Sequence, residues 1–146
     1  MLGLGLILSL TFTTAAFAAQ HGMQKDIRTL IEQARNAWVA RDAHAISQMF
    51  TPNGELIVPG QHWQGREEIR AQVDRFAQQY VDVKIDIQRI IIEGNQAVVE
   101  WHYEDTEKAT SLRNKADDAI VIDFKDGLIE RWREYFDTKT PNVQRD

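Results

Sequence analysis

Between Gln24 and Arg41 the apolar positions Ile27, Leu30, Ile31, Ala34 and Trp38 fall at i, i+3, i+4, i+7 and i+11, the spacing that lines one face of an α-helix. Asp42 then supplies an N-cap for a shorter second helix, with Ala45, Ile46, Met49 and Phe50 as its apolar stripe. Thr51-Pro52-Asn53-Gly54 stops it, because proline disfavours the α region for the residue before it and Asn-Gly is turn chemistry. Glu55 to Val58 predicts a short strand ended by Pro59-Gly60, and Gly65 opens a third helix whose Ile69, Val73, Phe76, Ala77 and Tyr80 share a face.

From Val81 the period changes to two. Val81, Val83, Ile85 and Ile87 alternate with Asp82, Lys84, Asp86 and Gln88, which predicts a strand with one wet face, and Arg89 followed by Ile90-Ile91-Ile92 breaks the alternation as a bulge would. Gly94-Asn95 is a hairpin signal. After it, Ala97, Val99, Trp101 and Tyr103 face the core, while Val98, Glu100, His102 and Glu104 face outward. Thr106 to Lys115 reads as a loop, Ala119 to Phe124 as a strand, Lys125-Asp126-Gly127 as a tight turn and Leu128 to Asp137 as the last strand. The order helix, helix, strand, helix and four strands in meander predicts an α+β domain. Its three N-terminal helices pack on a curved antiparallel sheet (α-α-β-α-β-β-β-β).

A chain of 146 residues fits one domain with one core. The first charged residue is Lys25, and the apolar stretch Leu2 to Ala16 runs into Ala16-Phe17-Ala18, a small-x-small pattern that signal peptidase accepts. Residues 1–18 are therefore expected to be a signal peptide cleaved near Ala18, and residues 19–146 the single domain, with its core at 24–138. The expected location is periplasmic or secreted. The alternative is an uncleaved anchor; no basic residue precedes the run, and it is short of the ~20 apolar residues that an anchor needs. The absence of cysteine excludes a disulfide framework, a thiolate nucleophile and a thiolate metal site. A net charge of -5, all of it after residue 24, argues against nucleic acid and anionic membrane surfaces as partners.

Strand parity sorts the candidate chemistry. On the last strand Leu128, Glu130, Trp132, Glu134 and Phe136 share one side, and Ile129, Arg131, Arg133, Tyr135 and Asp137 the other; the side with two arginines should be the wet one. Glu134 then sits between Trp132 and Phe136 on the apolar side, where desolvation raises a carboxyl toward general acid/base use. The competing role is a rim carboxylate, solvated or paired with an arginine. Tyr103, inward on its strand, is either a phenol that orients a ligand oxygen or a core ring with a wet tip. Asp118 shares the parity of Ile120, Ile122 and Phe124; it is either a second pocket carboxylate or, with Asp117, a solvated strand entry.

His102 alternates with Glu100 and Glu104, so an outer-face or dimer-interface histidine near Arg131 or Arg133 is expected. His44 and His62 lack partners at metal-ligand spacing, and no metal site is expected; His62, next to Trp63, is a candidate for the pocket mouth. Trp38, Phe50, Trp63, Phe76, Tyr80, Trp101 and Trp132 lie on predicted inward faces, and such stiff rings either fill a core or line an apolar ligand site, with Val58 as a further lining candidate. No phosphate loop, nucleophile elbow or dinucleotide fingerprint occurs, so no cofactor is expected.

Trp63-x-Gly65-x-x-x-Ile69 at the third helix, and Asp126-Gly127-Leu128-Ile129 leading into Arg131-Trp132-Arg133-Glu134-Tyr135-Phe136-Asp137, resemble the nuclear-transport-factor-2-like superfamily and, within it, the SnoaL-like proteins. The resemblance covers residues 24–138. It implies a cone-shaped half-barrel with a pocket between sheet and helices, and a homodimer through the outer sheet face. Members include isomerases, cyclases, hydrolases and plain binding domains. Val58 stands where ketosteroid isomerases carry their catalytic aspartate, and Ala34 where they carry an oxyanion-hole tyrosine. Glu134 stands at a catalytic aspartate of the limonene-epoxide-hydrolase type, whose arginine-x-aspartate pair is replaced by Trp101-His102-Tyr103. The expected function is therefore stated broadly: binding of a small, largely apolar molecule, with carboxylate acid/base chemistry by Glu134, Tyr103 and Asp118. The alternative is a non-catalytic binding or dimerisation module whose pocket is filled.

Overall fold

The computed structural model describes residues 8–136. Its elements are α1 (Leu8–Ala40), α2 (Ala43–Gln48), β1 (Phe50–Val58), β2 (Gln61–Gln64), α3 (Arg66–Gln79), β3 (Tyr80–Glu93), β4 (Gln96–Glu107), β5 (Arg113–Lys125) and β6 (Leu128–Tyr135). The strands form one curved, unclosed six-stranded sheet in the order β2-β1-β6-β5-β4-β3. The helices cover one face of it. Between the layers lies one apolar core in which Ile31, Ile46, Ile69 and Val73 of the helices meet Leu56, Val99, Ile120, Ile122 and Trp132 of the sheet. This is the α+β arrangement expected from the residue pattern, and the half-barrel that the resemblance implies.

Several boundaries differ from those the pattern predicts. Helix α1 starts well before Gln24, because the alanine-rich stretch upstream is good helix former with no proline to stop it. Residues 14–22 of that extension are exposed, and Ile27 is the first buried side chain. The first seven residues of the expected signal peptide, and the end of the chain from 137 on, including Asp137, lie outside the described residues. Among the described residues no helix is long and apolar enough to cross a membrane.

The short helix α2 has the predicted cap, with Asp42 Oδ1 accepting from the Ala45 N–H at 2.9 Å. Its buried side chains are Ala43, Ile46 and Ser47, whereas Phe50 belongs to β1. Thr51 to Gly54 is not a free turn. It is an out-looped part of β1, whose register against β6 jumps between Phe50↔Ile129 and Glu55↔Arg131. Three hydrogen bonds pin this irregular stretch: Arg66 Nε to the Phe50 carbonyl at 2.8 Å, the Gly65 N–H to the Gly54 carbonyl at 2.8 Å, and the Ile129 N–H to the Met49 carbonyl at 2.8 Å. Strand β1 runs parallel to β6, a pairing that a simple meander does not contain.

Strand β2, too short to show a period, adds an edge by pairing antiparallel with β1. The predicted loop from Thr106 to Lys115 shrinks, since β4 runs to Glu107 and β5 begins at Arg113. The first residues of β5 have weak strand propensity, but cross-strand pairs hold them: Arg113 and Lys115 meet Glu104, and Asp117 meets His102. On β6 the strict alternation fails. The register passes from Asp123↔Arg131 to Phe124↔Ile129, so Glu130 is the extra residue of a bulge. Ile129, assigned outward by parity, is therefore buried, and Glu130, assigned inward, is exposed. Beyond the bulge the parity is restored, with Trp132, Glu134 and Phe136 inward.

Candidate functional site

The curved sheet and the helices leave a cavity of about 560 Å³ between them. Its apolar walls come from Trp38 of α1, Phe76 of α3, Tyr80 and Ile85 of β3, Trp101 of β4, and Leu56, Val58 and Trp63 of the β1–β2 hairpin. Phe76 stacks on Tyr80 at 5.2 Å and meets Trp38 edge-on at 5.9 Å. Phe50 and Trp132 do not line the cavity. Both are about 1% exposed and lie beneath it in the core, where Trp132 packs against Trp101 at 5.5 Å.

Two carboxylates stand in the wall on adjacent strands. Register pairs Ile120 with Glu134, which puts Asp118 and Glu134 on one face as diagonal neighbours. Each is held by an indole. Trp101 Nε1 donates to Asp118 Oδ2 at 2.8 Å, and Trp132 Nε1 donates to Glu134 Oε1 at 2.8 Å. Asp118 is 6% exposed, and among the described residues its Oδ1 has no hydrogen-bond partner. Burial pushes the Asp118 carboxyl up to about 6; Asp117 adds to the rise, and the Trp101 bond and His102 oppose it. Burial, then the charge of Asp118, pushes Glu134 up to about 7 against the pull of the Trp132 bond. The two groups titrate as a pair near neutrality, where a carboxyl can both give and take a proton.

Tyr103 also lines the cavity, but its hydroxyl is committed, donating to Asp105 Oδ2 at 2.5 Å. Asn114 Nδ2 donates to the other oxygen of Asp105 at 2.8 Å. Burial above all, with the bond to Asp105, holds the Tyr103 phenol far above its ordinary range, so it stays a neutral donor. Tyr80 is raised as well, by burial and then by Asp105 and Glu107. Asp105 and Asn114 escaped the residue pattern, yet Asp105 simply continues the inward parity of Ala97, Val99, Trp101 and Tyr103 by one step. Gln61, Gln72 and Phe136 also contribute to the lining.

His102 lies on the outer face as expected, but its neighbours are carboxylates and not arginines. Nδ1 sits 2.8 Å from Asp117 and Nε2 3.4 Å from Glu104. The Asp117 bond foremost raises the histidine. His62 points away from the cavity and pairs with Glu55 at 3.5 Å. Among the described residues no cluster of three or more His, Asp and Glu side chains is placed to hold a metal ion.

A curved, unclosed sheet with helices packed on one face is the fold of the nuclear-transport-factor-2-like class. Within that class, residues 31–132 match the SnoaL-like domain, and the chain belongs to this family. No curated protein matches it. Its structure is similar to that of a protein with a ketosteroid-isomerase-like fold from Catenulispora acidiphila, solved with trimethylamine (TM-score 0.71, 18% identity, 75% of this chain and 85% of that one). It is also similar to an LEH-like epoxide hydrolase of M. tuberculosis (TM-score 0.70, 20% identity, 79% and 85%). A third is SalBIII, an epoxide hydrolase/cyclase-like enzyme with a role in pyran ring formation in the polyether salinomycin (TM-score 0.72, 20% identity, 82% and 96%). These likenesses establish the fold.

Proposed function

We propose that this chain is an exported pocket protein that takes up a small, largely apolar molecule and moves a proton on it with Glu134. The observation that carries the reading is the placement of Glu134 and Asp118 together in the wall of an open aromatic cavity, each oriented by a tryptophan N–H. Preorganised groups of this kind do acid/base work when their proton affinity lies near the working pH. Tyr103, its hydroxyl proton held by Asp105, offers the ligand its ring, and Asp118 raises the proton affinity of Glu134. Isomerisation, hydrolysis and ring closure all need such a proton step, and hydrolase and cyclase-like proteins stand among the structural neighbours.

Export is supported by the exposure of residues 14–22, which leaves the expected cleavage point near Ala18 in an exposed stretch ahead of the described core. A second reading, the binding or assembly module, draws on the outer sheet face. There Ile91, Val98 and Tyr135 are large exposed apolar side chains, as a homodimer interface would present. The cavity favours the ligand reading over a filled pocket.

Native mass spectrometry of the protein recovered from its own envelope fraction tests both. A bound small molecule in wild type, replaced by its precursor in Glu134→Gln, is the expected result. An empty cavity in both forms would leave only the module. The same spectra report the assembly: a dimer mass lost on Val98→Glu is expected, and a wild-type monomer rules out the outer-face dimer.

A further inference from the structure

The cavity carries an unbalanced charge. Asp118, Glu134 and Asp105 all line it. Among the described lining residues the only cation is Lys115, whose Nζ lies 3.6 Å from Glu104 Oε1. Register places Lys115 opposite Glu104, on the outer face of the sheet and away from the acids. Asp105 is satisfied by Tyr103 and Asn114, whereas Asp118 keeps one buried oxygen without a donor. A buried acceptor left unpaired costs stability, and two neighbouring acids without a counter-charge cost more, so the site is built for a group not supplied by the chain. The same cavity is lined by Trp38, Trp63, Phe76 and Tyr80, with Trp101 beside Asp118. The negative faces of aromatic rings add an electrostatic attraction for cations that neutral groups of the same shape do not receive.

We propose that the cavity is selective for an organic cation: a protonated amine on a largely apolar skeleton, whose N–H bonds the free Asp118 oxygen and whose charge rests between Asp118 and Glu134 against the aromatic walls. The proposal rests on the reading of the cavity as a ligand site and narrows it to one ligand class. A hydroxyl can also donate to Asp118, but it leaves the paired acids unneutralised. Burial holds both carboxyls up for lack of a partner, and a bound cation draws them back down, so amine uptake releases protons at neutral pH.

The test compares cyclohexylmethylamine, charged at pH 7.5, with cyclohexylmethanol, its neutral counterpart of the same shape. Both are titrated into the 146-residue chain while the indole N–H resonances are followed by NMR. The Trp101 and Trp132 indoles, which bond the two acids, report on the site directly. The expected result is about tenfold or tighter binding of the amine, with both indole signals moving and the preference lost in Asp118→Asn. Equal affinity for the two probes overturns the amine class while leaving the cavity a ligand site. No shift with either probe overturns the ligand reading as well. The wild-type comparison stands alone if the variant does not fold.

Discussion

Glu134 holds its proton more tightly in the folded protein, where its carboxyl sits at about 7, than in the unfolded chain, where it returns to the ordinary 4.5. Its contribution to stability is therefore complete below about 4.5 and is lost as pH rises through about 7. Asp118 acts in the same sense, between its ordinary 3.8 and about 6. Glu104 is opposite: Arg113 above all, with His102 and Lys115, holds it at about 2, so its contribution is present above the ordinary 4.5 and lost as pH falls through about 2. Glu134→Gln should accordingly leave stability at pH 5 near that of wild type and raise it at pH 8 by on the order of 2 kcal/mol. Chemical denaturation at the two pH values measures this, and a variant equally destabilised at both would show that Glu134 is not held against its charge. The inward placement of Glu134 was legible from strand parity. Its anchoring by Trp132 was not, because a hydrogen bond between side chains two apart on one strand depends on rotamers that only packing selects.

The elements that periodicity captures well are those that bury a full stripe. Residues 24–40 of α1, helix α3, and the inner faces of β3 and β4 repeat apolar residues over enough positions to specify their own exposure. The elements missed are those whose pairing partner lies far away in sequence. Strand β1 pairs with β6 across more than half the chain, and its out-looped Thr51 to Gly54 looks locally like a turn. Here Gly54 is needed for space: an added Cβ would stand 3.0 Å from the Ile129 carbonyl oxygen and 3.0 Å from Phe50 Cβ, a backbone atom and a buried side chain that cannot move aside. Gly54→Ala should cost about 1–3 kcal/mol, seen as a lowered urea midpoint with an unchanged slope. A neutral substitution would mean that the β1–β6 seam is looser than its hydrogen bonds indicate. Gly65 has a different requirement, a φ of 86° at the entrance to α3, where the chain leaves the hairpin.

The whole molecule is a single layer of helices on a single curved sheet, and its stability should come from the region that starts at Ile27. A chain beginning at residue 19 is expected to melt within about 2 °C of the 146-residue chain, because residues 14–18 are exposed and the described core begins at Ile27. Paired thermal scans measure it. A large drop would show that the upstream helix covers part of the core in solution. The ladders of β3 and β6 are interrupted by register shifts, the kind of irregularity that bends a sheet. On the outer face Ile91, Val98 and Tyr135 stay exposed.

By itself the sequence determined which residues are apolar at helical or strand period, and hence the α+β class, the count of long helices and the inward side of β4, β5 and the end of β6. Those follow from local geometry, in which exposure repeats every 3.6 or every 2 residues. The tertiary structure alone decided the parallel β1–β6 pair, the added edge β2, the bulge at Glu130 and the pairing of each carboxylate with one tryptophan. It also divided the aromatic residues between lining and core, leaving Trp101 in the wall and Trp132 beneath it. The physical reason is the same in each case. A hydrogen bond or ring contact between residues distant along the chain is set by the register of strands and the packing of helices on them, and neither is encoded in any short window of residues.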